Sequence, residues 1–277
     1  MSKKIIFTSG GTGGHIFPAI NLMKYFSKKG YEVLLVTDER GNYFLKNFRN
    51  FKTIIIKAET TTNKKLIKKF FYLFIIFFSI LKSSKIILEE KPDLIIGFGG
   101  YASFPISFAS MFCKVPLVIY ENNLTIGRAN KKLLKISKKI LLGLGIPKSL
   151  PEKYKKKVYQ VGSILRQEIY DYKYIEKKDS INFISILILG GSQGAEIFGK
   201  IIPPTIKMLK DKGYEIKINQ QCIEKQKKTL VEFYKKNKIN SNIFTFDSNI
   251  LNLISESDLA ISRCGASTTA ELVNTLT

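Results

Sequence analysis

Apolar positions along the chain fall in short β-branched runs, separated by longer stretches with helical spacing. Lys4-Ile5-Ile6-Phe7-Thr8 predicts a strand, followed by glycine-rich residues and a helix through Ile20 and Met23. The runs Glu32–Thr37, Thr53–Ile56, Leu94–Ile96, Leu117–Tyr120 and Ile140–Leu142 each have the length of a buried strand. Near-continuous apolar runs mark strands buried on both faces, and intervening helices make them βαβ units. The pattern therefore predicts a mostly parallel sheet covered on both sides.

The rhythm breaks between Pro147 and Ser180. This segment carries Pro147 and Pro151, the charged run Glu152-Lys153-Tyr154-Lys155-Lys156-Lys157 and a polar stretch near Asp171–Asp179. It reads as the junction between two domains. Beyond it the pattern restarts: a strand over Phe183–Leu189, a glycine-rich turn and a helix from Glu196. Strands over Glu215–Asn219, Asn242–Phe246 and Leu259–Ser262 follow. The expected organisation is a first α/β domain over residues 1–161, a linker over 162–180 and a second α/β domain over 181–277. Thr277 falls inside a helix expected to begin at about Ser267, and about four strands are few for a doubly wound domain. The second domain is thus expected to be incomplete, the sequence reading as a fragment.

Composition sharpens this. Of 277 residues, 45% are hydrophobic, enough for packed cores and too many for a disordered tail. Lys and Arg total 45 against 22 Asp and Glu, a formal charge of +23. That balance fits anionic partners, or a bias towards Lys, Ile, Asn and Phe that carries no message. No nucleic-acid motif accompanies it, so a nucleic-acid partner is not expected. The three cysteines form no CxxC and there is one histidine, which disfavours a disulfide framework and a zinc site and suits a reducing compartment. No signal peptide precedes the first strand, which predicts a cytoplasmic protein.

Four glycine-containing turns follow four strands. They are Ser9-Gly10-Gly11-Thr12-Gly13-Gly14-His15, Gly97-Phe98-Gly99-Gly100-Tyr101, Gly190-Gly191-Ser192-Gln193-Gly194 and Arg263-Cys264-Gly265-Ala266-Ser267-Thr268. Glycine admits an anion close to backbone N–H groups, and the following helix start adds partial positive charge. Tight strand-to-helix turns also use glycine for steric reasons alone. Two such loops in each domain, at the sheet edge where α/β proteins bind ligands, favour phosphate binding and predict domains facing one another across a cleft. The first loop lacks the Lys-Ser/Thr ending of a P-loop. Ile16 stands where a dinucleotide fingerprint wants glycine, leaving a nicotinamide dehydrogenase a weak alternative.

His15, where the first loop enters its helix, has the pKa range of a general base; capping the turn is its bland role. Glu121-Asn122-Asn123 follows a strand and suits sugar hydroxyls, or simply a turn. Glu271 lies three and four residues after Thr268 and Ser267, on one helix face. A carboxylate there can accept hydrogen bonds from two ribose hydroxyls, or lie on a solvated surface.

Residues Phe70–Leu81 are almost wholly apolar, too short a run for the ~20 residues of a spanning helix. Phe70, Phe74, Phe77 and Leu81 form one stripe, and Phe71, Ile75 and Phe78 another. One stripe can pack on the sheet while the other needs cover. Lys64, Lys65, Lys68 and Lys69 precede the run, and Lys82 and Lys85 follow. The segment reads as a peripheral membrane anchor, with Phe71, Phe74, Phe78, Lys68 and Lys69 as its contacts, or as a buried helix in a Phe-rich chain.

At these motifs the chain resembles the MurG family of UDP-N-acetylglucosamine transferases. The resemblance rests on Gly10-Gly11-Thr12-Gly13-Gly14-His15-Ile16-Phe17-Pro18-Ala19, on Gly97-Phe98-Gly99-Gly100-Tyr101 with Pro105, and on Glu121, Asn123, Gly127 and Asn130. It continues through Gly190-Gly191-Ser192-Gln193-Gly194-Ala195 and Arg263 to Glu271. It implies a GT-B fold, two Rossmann-like domains with the acceptor on the first and UDP-GlcNAc on the second. The implied reaction is a single inverting displacement on lipid I that yields lipid II for peptidoglycan synthesis, with no cofactor and no metal. By the match, Thr12, Gly13, Gly14, Asn123, Arg166, Ser192, Ala266, Ser267, Thr268, Thr269, Ala270 and Glu271 are donor-site residues. Gly11, Gly99, Gly100 and Tyr101 serve the acceptor diphosphate. His15 is the implied general base, with Glu121 second. The resemblance also places the chain peripherally on the cytoplasmic face of the inner membrane, with anionic lipids and other cell-wall synthesis proteins as partners.

Several positions depart from the family pattern. His-Glu-Gln-Asn is replaced by Tyr120-Glu121-Asn122-Asn123, and Gly-Asn-Pro-x-Arg by Gly162-Ser163-Ile164-Leu165-Arg166, which predicts a less rigid turn before Arg166. His-Gln-Ser/Thr-Gly is replaced by Asn219-Gln220-Gln221-Cys222, and Asp247 falls near a position that is aliphatic beside the uracil. The family's Gln-rich donor motif would lie beyond Thr277. A non-catalytic UDP-sugar-binding or membrane-scaffold protein is the alternative reading.

Overall fold

The computed structural model describes residues 2–44, 51–56, 66–172, 183–191, 195–247 and 249–275, and of residues 66–73 the backbone alone. The chain divides into two compact units, Met1–Arg166 and Gln167–Thr277.

The first unit runs β1 (Lys4–Thr8), α1 (Gly13–Lys28), β2 (Glu32–Thr37), α2 (Glu39–Phe44), β3 (Lys52–Ile55), α3 (Leu66–Glu90) and β4 (Leu94–Gly97). It continues with α4 (Ser103–Phe112), β5 (Leu117–Glu121), α5 (Arg128–Leu133), β6 (Lys139–Leu142) and β7 (Val158–Gln160). All seven described strands are parallel, in the order β3-β2-β1-β4-β5-β6-β7. The unbroken apolar runs have their reason in two cores. Ile6, Leu34, Val36, Ile95 and Ile119 pack on one sheet face with Ile86 and Ile87 of α3 and Ile106 of α4. Ile5, Phe7, Leu35 and Ile96 pack on the other with Ile16, Ile20 and Met23 of α1.

Two local expectations change. Residues 147–160, where the rhythm breaks although the expected bounds keep them in the first domain, are not irregular: Lys153 to Lys157 lie in a 3-10 turn, and Val158 to Gln160 add the unexpected edge strand β7. Helix α3 has 25 residues and extends beyond the Phe70–Leu81 run at both ends, from Leu66 to Glu90. Among the described residues, no helix is long and apolar enough to cross a membrane.

The second unit contains α6 (Gln167–Tyr170), β8 (Ile184–Leu189), α7 (Phe198–Asp211), β9 (Ile216–Gln221) and α8 (Glu224–Lys236). It ends with β10 (Asn240–Phe244), α9 (Ile250–Glu256), β11 (Leu259–Ser262) and α10 (Ala266–Thr275). Its four described strands are again parallel, ordered β10-β9-β8-β11. Ile186, Ile188 and Ile218 meet Ile202 and Ile206 of α7 and Leu230 and Tyr234 of α8. Leu187 and Leu189 meet Phe244 and Ile254 on the opposite face.

Candidate active site

Both sheets grow outward from their first strand in two directions. The switch lies between β1 and β4 in the first unit and between β8 and β11 in the second. A crevice opens at such a switch beyond the carboxyl ends of the strands. The four glycine turns follow these four strands, so each pair flanks one switch point.

In the first unit the two turns touch backbone to backbone. Gly10 N–H donates to the Gly99 carbonyl at 2.8 Å, and Phe98 N–H to the Thr8 carbonyl at 2.8 Å. A Cβ on Gly10 would stand 2.7 Å from the Gly100 Cα, and Gly99 and Gly100 have φ of +87° and +80°. Gly11 lies against Asp38 and Arg40, where a side chain would collide with the Asp38 carboxylate. That carboxylate accepts from Gly41 N–H at 2.8 Å, and so orders the start of α2 beside the loop. Thr12 is the N-cap of α1 with no side-chain cap bond, and Gly14 is exposed with open space where a side chain would point. Amides at a helix start beside open space suit an anion. Tyr101, partly exposed, follows Gly100 at the mouth of the second turn.

His15 sits half-buried in the first turn of α1. Its ring approaches Gly99 through Cε1 and Nδ1, and it hydrogen-bonds the Phe98 carbonyl. The ring nitrogen that donates to the Phe98 carbonyl carries the proton in the neutral form, and the other keeps its lone pair. Burial pushes the imidazole below its ordinary value, against the smaller opposing pull of the Glu121 charge and the Phe98 carbonyl.

Glu121, at the end of β5, is 2% exposed. Its Oε1 accepts from Asn123 N–H at 3.1 Å and Nδ2 at 2.8 Å. Its Oε2 accepts from Gly127 N–H at 2.8 Å and Asn130 Nδ2 at 3.0 Å. One carboxylate thus folds the 122–130 loop around itself, leaving Asn123 exposed. Asn130 also donates to the Tyr120 carbonyl at 3.1 Å and faces Gly99. Among the described residues its buried Oδ1 has no partner, an acceptor in position for a hydroxyl or water. The sequence places Asn130 in the motif but does not show that it bridges β5 to the glycine turn.

In the second unit, Gly191 has φ of +80° after β8; Ser192 lies outside the described residues. Gly190 N–H donates to Gln221 Oε1 at 3.1 Å, and Gln221 Nε2 donates to the Thr245 carbonyl at 3.3 Å. Gln221, a departure from the family pattern, therefore ties the glycine turn to the ends of β9 and β10. Arg263 reaches the Gly190 carbonyl at 3.4 Å from the other side. Helix α10 starts at Ala266; Ser267, Thr268, Ala270 and Glu271 are half-buried and Thr269 is exposed. Arg166 is the last residue of the first unit and half-buried. The Asp247 carboxylate accepts from Asn249 N–H at 2.7 Å and so shapes the turn before α9. Among the described residues no cluster of three His, Cys, Asp or Glu side chains forms a metal-binding group.

Comparison with known proteins agrees with this architecture. The model of the glycosyltransferase family 28 N-terminal domain matches residues 5–142, and that of the C-terminal domain residues 185–276. A Rickettsia felis protein named UDP-N-acetylglucosamine–N-acetylmuramyl-(pentapeptide) pyrophosphoryl-undecaprenol N-acetylglucosamine transferase is 36% identical over 278 residues, spanning 98% of this chain and 76% of its own. A Rickettsia canadensis protein of the same name is 35% identical over 98% of this chain and 75% of its own. The crystal structure of Acinetobacter baumannii MurG superposes with a TM-score of 0.69 at 26% identity, covering 95% of this chain and 74% of that one. The Staphylococcus aureus MnaA–UDP structure shares the fold, with a TM-score of 0.66 at 17% identity over 95% of this chain and 74% of its own. Two parallel α/β units with glycine turns at both switch points, matched along nearly the whole chain, place this protein in glycosyltransferase family 28, in the GT-B class and the MurG family.

Proposed function

We propose that this chain transfers N-acetylglucosamine from UDP-GlcNAc to the muramyl 4-hydroxyl of lipid I, giving lipid II in peptidoglycan synthesis. The observation that carries this reading is the likeness to the Rickettsia felis transferase over 98% of the chain. The ring nitrogen of His15 that does not bond Phe98 takes the proton of the 4-hydroxyl as its oxygen attacks C1 of GlcNAc. The C1–O bond breaks in the same displacement, UDP leaves with the electron pair, and the configuration at C1 inverts. Burial keeps His15 neutral and able to accept that proton near pH 7. Glu121 positions the 122–130 loop; its four accepted hydrogen bonds favour His15 over it as the base.

The loops carrying Gly11, Gly99, Gly100 and Tyr101 receive the acceptor diphosphate. Thr12, Gly13, Gly14, Asn123 and Arg166 serve the donor from the first unit. Ser192 and the Ala266–Ala270 turn meet the UDP diphosphate through backbone amides and hydroxyls, the means by which a helix start offsets anionic charge. Glu271 accepts the ribose hydroxyls. Replacing it tests the donor site. In Glu271→Ala, the apparent KM for UDP-GlcNAc should rise about 10- to 100-fold, the worth of hydrogen bonds to a charged group. Saturated turnover should change far less, and steady-state kinetics that instead gave a pure rate loss would refute the ribose role.

The enzyme works peripherally at the cytoplasmic face of the inner membrane, where lipid I is anchored. Phe74 and Phe78 of α3 are 62% and 51% exposed, with their ring centroids 4.6 Å apart, and Phe77 and Leu81 are exposed beside them. Phe71, Lys68 and Lys69 belong to the same helix, their side chains outside the described set. Each inserted aromatic ring contributes about 1.5–3 kcal/mol and each lysine near anionic lipid about 1 kcal/mol. Co-sedimentation with anionic vesicles should therefore show binding that weakens with salt. Phe74→Ser with Phe78→Ser should weaken it about 10-fold or more, beyond the loss from removing two distant lysines. Equal partition onto neutral vesicles would remove the electrostatic part, and no partition at all would end the proposal.

A further inference from the structure

Two departures from the family pattern, Tyr120 and Ile164, meet in a single buried hydrogen-bond network. Tyr120 is 1% exposed and its ring packs on Phe98, with centroids 5.5 Å apart. Its hydroxyl accepts from Ile164 N–H at 3.0 Å and donates to Asn122 Oδ1 at 2.8 Å. Asn122, 4% exposed, accepts a second hydrogen bond from the Ser163 hydroxyl at 3.1 Å. The Gly162 carbonyl stands 3.4 Å from the same Tyr120 oxygen, and Gly162 turns with φ of +80°. Gly143 leaves room for all of this. A Cβ there would lie 2.5 Å from the Tyr120 oxygen and collide with Asn122 Oδ1.

A proline at position 164 would have no N–H to give. With isoleucine there the turn loses the stiffness of a ring, and the N–H it gains is bonded to Tyr120. The turn is thus held from outside, by the strand end that also carries Glu121. The Tyr120 carbonyl meanwhile accepts from Asn130, which bonds Glu121 in turn. The residue reaches the turn with its side chain and the active loop with its backbone.

We propose that Tyr120 is a positioning residue for the transfer reaction. Its buried hydroxyl pins the 162–164 turn to the end of β5 and thereby fixes the segment that presents Arg166. The consequence for catalysis rests on the reading that Arg166 serves the donor; the pinning itself does not.

The test is Tyr120→Phe, which keeps the ring and its packing while removing the hydroxyl. Amide hydrogen exchange should show the Ile164 N–H exchanging at least about 10-fold faster, as expected when its hydrogen bond is lost. The apparent KM for UDP-GlcNAc should rise about 3- to 10-fold, with kcat and the lipid I KM within about twofold, one hydrogen bond being the quantity removed. Ser163→Ala, which disturbs the network at its rim, should give a smaller shift in the same direction. Combined with Tyr120→Phe, it should add less than the product of the two single effects. Unchanged Ile164 exchange in Tyr120→Phe would overturn the pin. Faster exchange with an unchanged donor KM, or an equal fall in kcat and rise in both KM values, would overturn the positioning role. Absence of transfer in the unsubstituted chain would count against the proposed function, while Ile164 exchange would still decide the pin.

Discussion

His15→Ala should lower turnover by about 10²–10⁴-fold, the range for losing a positioned general base, with little change in UDP-GlcNAc affinity. The size of the effect follows from how the ring is held. The Phe98 carbonyl fixes the tautomer, the close approach to Gly99 fixes the ring position, and Glu121 sets a negative field beside it. The pH profile carries a separate signature. Burial lowers the imidazole pKa, so the neutral, active form persists below the ordinary value of about 6.5. The acid limb of kcat/KM should lie below that value and vanish in His15→Ala. A lowered folded-state pKa also means that the unfolded chain binds more protons. The contribution of His15 to stability is therefore full above about 6.5 and declines as pH falls towards the folded pKa. Turnover near wild type in His15→Ala would move the base role to Glu121 or solvent.

Gly100→Ala should strongly destabilise the first unit. The new Cβ would stand 2.6 Å from the Gly10 Cα, and φ is +80°, so sterics and backbone conformation both oppose it. Strain in that region costs about 1–3 kcal/mol and overpacking about 1–3 kcal/mol, a loss of about 2–6 kcal/mol in all. Denaturant titration of the first unit's transition would measure it. Gly14→Ala is the control: the position is helical, exposed and has open space around it. It should fold at least as stably as the wild type, because alanine favours a helix over glycine by about 0.5–1 kcal/mol, yet weaken donor binding. Equal stability of the two variants would mean that the two glycine turns are not locked together.

Much of this was legible in the sequence because parallel strands buried on both faces write themselves as unbroken apolar runs. Glu32–Thr37 and Leu259–Ser262 have the predicted bounds. Strand β7 was not legible: it has three residues, Val158 is half-buried, and Tyr159 and Gln160 are exposed. Such an edge strand carries no apolar signature, and the neighbouring lysines mask it further. The glycine turns and His15 stood out by composition. Their partners did not, because Phe98 meets His15 only through the β1–β4 pairing, a neighbour relation between strands separated by β2 and β3. Gln221 and Tyr120 appeared as departures from a pattern, and only the fold shows Gln221 bonding the Gly190 turn and Tyr120 bonding Ile164. The face of α3 was half legible: Phe74, Phe77 and Leu81 of one stripe are exposed, but so is Phe78 of the other, while Ile75 is half-buried.

On the proposed mechanism, donor and acceptor react by direct inverting transfer. Its most direct measurement is the structure of the lipid product after incubating the full chain with labelled UDP-GlcNAc and lipid I, with and without a chelator. The product should carry one GlcNAc joined through a β linkage to the muramyl 4-hydroxyl, with one UDP released per linkage and a chelator-independent rate. Consumption of UDP-GlcNAc with lipid I unchanged, or an α linkage in the product, would contradict this mechanism.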